Sequence, residues 1–111
     1  MFSQQTIDIL LKAANRIDAR DWRVVDDSGR LHSGWLVGAT SHVAGVSDGG
    51  YSARTAFADW WRPGEYRADG LRTNATAAEH GRKIGADATA AAIRECVRNA
   101  CEALANTQGE I

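Results

Sequence analysis

The chain has 111 residues, room for one hydrophobic core and too few for two, since domains typically run about 100–150 residues. Thirteen basic and fourteen acidic side chains leave a formal charge of −1, so the totals encode no long-range steering toward nucleic acid. No apolar run approaches the roughly 20 residues of a membrane span, and a single domain over residues 1–111 is expected.

Residues 3–19 carry Ile7, Leu10, Leu11, Ala14 and Ile17 at three- and four-residue spacing, which predicts an amphipathic helix. Ser3 can cap it, with Phe2 and Ile7 forming a hydrophobic staple. Arg16 and Arg20 suit the negative end of its dipole. Residues 22–37 read as a β-hairpin, Trp22–Val25 and Leu31–Val37 flanking the turn Asp26-Asp27-Ser28-Gly29. A third strand is expected near His42–Val46, and Gly34 and Gly38 would mark a bulge or a close backbone approach.

Beyond Ser52, Phe57, Trp60 and Trp61 fall at i, i+3 and i+4, predicting a short helix closed by Pro63-Gly64, with a strand as the alternative. Residues 65–75 lack periodicity and read as a surface loop. Thr76-Ala77-Ala78-Glu79 has the form of a capping box, opening a long helix whose stripe is Ala86, Ala90, Ile93, Val97, Ala100 and Leu104. Gly81 and Gly85 predict either a kink or a second helix capped by Asp87. The elements together predict an α+β fold: N-terminal helix, small antiparallel sheet, short aromatic helix and a long C-terminal helix packed on the sheet.

Five of the eight aromatic residues lie between positions 51 and 67, and Trp60-Trp61-Arg62-Pro63-Gly64-Glu65-Tyr66-Arg67 concentrates the residue types that dominate interface energetics. Trp60, Trp61, Arg62, Tyr66, Arg67 and Arg72 are therefore the candidate partner-binding residues. The same aromatics could equally be core, and adjacent tryptophans on one helix cannot both face inward. The arginines beside aromatic rings would suit single-stranded nucleic acid, but Asp59, Glu65 and Asp69 interleave them and would repel phosphate.

Gly45-Val46-Ser47-Asp48-Gly49 matches the G-x-S-x-G nucleophile elbow, and Ser47 with His42 or His80 would be a serine-hydrolase reading. The large parallel sheet of that architecture does not fit in this length, so an ordinary turn is expected. His32, His42, His80, Cys96 and Cys101 show no metal-ligand spacing, and no cofactor motif is present. Cys96 and Cys101 diverge on a helix and are expected to be buried thiols in a reducing compartment. The N-terminus lacks the basic-then-apolar pattern of an export signal, so a cytoplasmic location is expected.

The expected function is non-enzymatic binding of another protein or a nucleoprotein complex, by a monomer or homodimer. In overall character, a small near-neutral chain with eleven arginines to two lysines and no catalytic motif, it is similar to mobile-element inhibitors of bacterial defence such as anti-CRISPR proteins. That likeness implies occlusion of a partner surface and rests on no residue motif. A self-associating subunit built on the alanine stripe is the remaining alternative.

Overall fold

The computed structural model describes residues 2–63 and 70–109. Among them are five helices: α1 (Gln4–Asp18), α2 (Trp35–Thr40), α3 (Tyr51–Trp61), α4 (Gly70–Ile84) and α5 (Ala86–Gly109). The expected α+β fold with an antiparallel sheet is overturned: the fold is all-helical, and the pairing in the hairpin region is one isolated bridge, Val25 to Leu31. Among the described residues no helix is long and apolar enough to cross a membrane.

α1 forms as its periodicity predicts. Ser3 Oγ accepts from Thr6 N at 3.1 Å, and Ile7, Leu10, Ala13, Ala14 and Ile17 are buried. Their stripe faces α5, whose Ala90, Ile93, Val97 and Ala100 are buried in turn, so the alanine stripe is covered within the chain. Arg94 joins the pair of helices, donating to Asp18 at 2.5 Å and to Asn15 at 3.2 Å. Arg20 donates to Ile17 O at 3.0 Å as a C-terminal cap should. Arg16 instead reaches a different helix, its Nη1 lying 3.1, 3.2 and 2.6 Å from the carbonyl oxygens of Gly38, Ala39 and Ser41 at the negative end of α2.

The turn of the predicted hairpin is real: Gly29 has φ +83°, and Asp26 N donates to Arg30 O at 2.8 Å. Pairing stops there because the following residues bury themselves as a helix. Trp35, Leu36, Ala39 and Thr40 form the inner face of α2, and an isolated two-stranded ribbon has little stability to set against that burial. The third strand is absent as well. Residues 42–50 run through turns, with positive φ at His42, Gly45, Gly49 and Gly50.

The predicted aromatic helix is α3, and the strand alternative falls. Its N-cap is Gly50, φ +89°, rather than Ser52, and Asp48 before it supplies the acceptors: Oδ1 accepts from Gly50 N at 2.9 Å and Oδ2 from Ser52 N at 3.0 Å. The Ser52 hydroxyl first, then these backbone donors, hold the Asp48 carboxyl below its usual range. The expected loop 65–75 is helical from Gly70 onward, so Thr76 lies inside α4 and the capping box is not a cap. The long helix is divided at Gly85, φ +97°, whose N–H closes α4 on Gly81 O at 2.9 Å and whose carbonyl receives Thr89 N at 3.0 Å.

Candidate functional site

The carboxyl end of α3 carries the candidate binding residues. Successive residues on an α-helix are about 100° apart, so buried Phe57 is flanked on two sides by the residues three and four later. Ring centroids of Phe57 and Trp60 are 6.4 Å apart and stacked, and those of Phe57 and Trp61 are 5.0 Å apart and tilted. Trp61 also meets the edge of His80 at 4.8 Å. Both tryptophans are half-buried, each giving one side to the core and one to solvent. Arg62 ends the helix, its N–H donating to Ala58 O at 2.8 Å. Tyr66 and Arg67 lie outside the described residues; Arg72 belongs to α4, and its side chain lies outside them too.

Beside Trp61 is a hollow of about 290 Å³ that includes Arg62, Thr76, Glu79, His80 and Lys83 in its lining. Glu79 and Lys83 also line a second hollow, of about 400 Å³, with Asp26, Arg30 and Arg82. Arg30, Arg82 and Lys83 continue into a third, of about 330 Å³, that reaches Arg20 and Asp87. Lys83 is common to all three, and the row of hollows brings together Arg20, Arg30, Arg62, Arg82 and Lys83 from four separate stretches of chain.

The carboxylates on this face are largely engaged. Asp87 pairs with Arg20 at 2.9 Å, and Glu79 lies 3.8 Å from Arg82. Asp26 accepts from Ser28 Oγ at 2.6 Å and from the N–H groups of Ser28 and Arg30 at 2.9 and 3.1 Å. The Ser28 hydroxyl first, then the backbone donors, hold its carboxyl below the usual range. Arg82 Nε donates to Leu31 O at 3.3 Å, tying α4 to the loop before α2. Lys83 forms no ion pair among the described residues.

Among the described residues no hydrogen bond links Ser47 with His42 or His80. Ser47 is exposed in the turn preceding α3, and His80 is engaged with Trp61. No group of three His, Cys, Asp or Glu residues that could hold a metal occurs among the described residues. Cys96 is a buried thiol as expected, but Cys101 is exposed. Burial pushes the Cys96 thiol up to about 12, so its thiolate is scarce at neutral pH. Iodoacetamide at pH 7.5 is therefore expected to label the folded protein at Cys101 alone, and both cysteines in denaturant. Mass spectrometry reads the sites, and equal labelling of Cys96 in the folded state would show that α5 is not packed on α1.

Two features escaped the reading of the sequence. Trp22, assigned to a strand, is 78% exposed, with the Arg23 guanidinium 5.3 Å from its ring centroid. The second is an apolar hollow where α2, α3 and α4 meet, whose lining includes Leu36, Val37, Tyr51, Arg54, Asn74 and Ala78. Its only signal in the sequence is that Val37 falls off the buried face of a helix that was not foreseen. No protein-family profile, curated protein or solved structure matches the chain.

Proposed function

We propose that this chain is a non-enzymatic protein-binding module that docks the aromatic and basic face running from Trp60 and Trp61 to Arg20 onto an acidic surface of a partner protein or nucleoprotein complex. The observation that carries the reading is the continuity of the face. Half-exposed Trp61, with Trp60 before it on α3, packs on His80 at one end of a row of hollows to which five cations contribute, in a chain whose formal charge is −1. Tryptophan supplies contact area and arginine directional, charge-assisted bonds, the combination found at binding hot spots. The five cations outnumber the three carboxylates, Asp26, Glu79 and Asp87, that line the same hollows, an excess that gives an orientation preference without a strong overall field. Occlusion of a partner surface, the mode of mobile-element inhibitors, needs area and charge but no nucleophile.

The test is affinity capture from bacterial lysate, comparing the wild type with an Arg62→Glu/Lys83→Glu variant whose helicity is verified by circular dichroism. Lys83 is exposed and Arg62 half-buried, and both positions avoid Trp61, whose removal would also strip Phe57 of a neighbour. A protein held by the wild type is expected to bind the variant at least about tenfold more weakly, and the wild-type complex to weaken as salt rises. Equal retention of the same protein by both would place the contact elsewhere. Nucleic acid as the sole retained species would overturn the protein-binding reading.

A further inference from the structure

The hollow between α2, α3 and α4 has a volume of about 230 Å³, below the roughly 300–1,000 Å³ of small-molecule pockets and suited to a single residue. Its walls are mainly apolar, from Leu36 and Val37 on α2, Tyr51 on α3 and Ala78 on α4. Val37 is 54% and Tyr51 40% exposed, so large apolar side chains face water at this mouth while their neighbours are buried.

Ser33, Arg54 and Asn74 interrupt this surface, and the last two have unused bonding capacity. Arg54 donates from Nη1 to Thr40 Oγ1 at 3.0 Å and to Gly49 O at 2.9 Å, and its guanidinium lies 5.9 Å from the Tyr51 ring centroid. Its Nε and Nη2 make no hydrogen bond and the side chain forms no ion pair among the described residues. Asp48 acts on it electrostatically but spends both oxygens on Gly50 N and Ser52 N. Asn74 donates through Nδ2 to Thr55 Oγ1 at 3.4 Å, while its Oδ1 is shielded from water and has no partner. An unpaired buried carbonyl is destabilising, and the broad torsion of an asparagine amide lets it turn toward a donor.

We propose that this hollow binds the carboxyl-terminal residue of a peptide ending in an aliphatic side chain, with the carboxylate on the open edge of Arg54 and the residue's backbone N–H donating to Asn74 Oδ1. The aliphatic side chain lies between Leu36, Val37 and Tyr51. A guanidinium edge matches a carboxylate in a two-point contact, and the half-exposed mouth lets the rest of the peptide leave. A free amino acid would set its ammonium in a small hollow beside Arg54, whereas the acylated nitrogen of a chain end keeps the donor without the charge. The site contains none of the cations of the proposed docking face and shares only Ala75 with its hollows, so the Arg62→Glu/Lys83→Glu variant leaves it intact and either can fail without the other.

The test is a titration of the ¹⁵N-labelled full chain with Ac-Ala-Ala-Leu, the same peptide as its C-terminal amide, N-acetylleucine and leucine, followed by amide chemical shifts. Saturable shifts centred on Val37, Tyr51, Arg54 and Ala78 are expected with the free-acid peptide, with at least roughly tenfold weaker binding of the amide, as loss of a charged contact implies. Val37→Glu puts a carboxylate at the mouth on an exposed position and is expected to abolish those shifts with the spectrum otherwise native. Arg54→Lys, which keeps charge but loses the fork, is expected to weaken them. Absence of saturable shifts with the free acid, or equal binding of the amide, overturns the proposal. Tighter binding of N-acetylleucine or leucine than of the peptide overturns the chain-end assignment.

Discussion

Trp35→Ala is expected to abolish cooperative folding or to lower unfolding stability by about 3–5 kcal/mol, a large share of the roughly 5–15 kcal/mol that domains possess. Trp35 is fully buried, and its indole Nε1 donates to Ala78 O at 2.8 Å. It thereby ties the short helix α2 to α4. The fit is close: a Cβ built on Gly81 would lie 2.5 Å from Trp35 Cζ2, so α4 approaches the ring to a distance that only glycine allows. Truncation would empty that space and remove the indole's bond to α4, and a close-packed interior refills such a void only in part. Urea denaturation followed by circular dichroism reads the effect. Trp22→Ala is the comparison, expected within about 0.5 kcal/mol of wild type because Trp22 is 78% exposed. A Trp35→Ala variant with the wild-type midpoint would show that the ring is not the centre of the core.

Helices whose buried face repeats without interruption were legible before any coordinates. α1 has its capping serine and its stripe, although Leu11 is exposed and Ile9 and Ala13 are buried instead, and the α5 stripe from Ala86 to Leu104 was read apart from buried Thr89. The stretch 22–40 was not, because local and tertiary preferences disagree there. Trp22, Val24 and Val25 favour strand, and the Asp26–Gly29 turn does form, but the larger gain comes from putting Trp35, Leu36 and Ala39 against the helices. Six residues flanked and interrupted by Gly34 and Gly38 carry too little propensity to announce a helix. Gly81 and Gly85 look alike in sequence, yet one clears Trp35 inside a helix while the other adopts φ +97° between two. Arginine and tryptophan density marked Trp60, Trp61 and Arg62. Arg20, Arg30, Arg82 and Lys83 went unmarked because separated stretches of chain bring them together only on folding.

Gly38→Ala is expected to be the most damaging single-methyl addition, lowering stability by about 3 kcal/mol or more and the melting temperature by roughly 10 °C or more. On helix propensity alone the substitution should stabilise by about 1 kcal/mol, so packing must reverse the sign. A Cβ at Gly38 would lie 1.9 Å from the Arg23 carbonyl oxygen and 2.8 Å from its carbon. Neither side can yield cheaply. Arg23 N is held by Asp21 Oδ1 at 2.9 Å, and Val24 N by Asp21 O at 2.9 Å. Moving α2 away instead would pull Gly38 O and Ala39 O from the Arg16 guanidinium, now 3.1 and 3.2 Å distant. Gly34→Ala supplies the control, since its Cβ would meet nothing nearer than the His32 ring at 3.6 Å and should cost under about 1 kcal/mol. Thermal melts of the two variants also discriminate between folds. In a hairpin ending at Val37, residue 38 would lie past the strand, and a methyl group there would meet the Arg23 carbonyl only if the chain also approached closely, as Gly38 suggested. A Gly38→Ala variant melting at or above wild type would favour that arrangement over a helix lodged against Arg23.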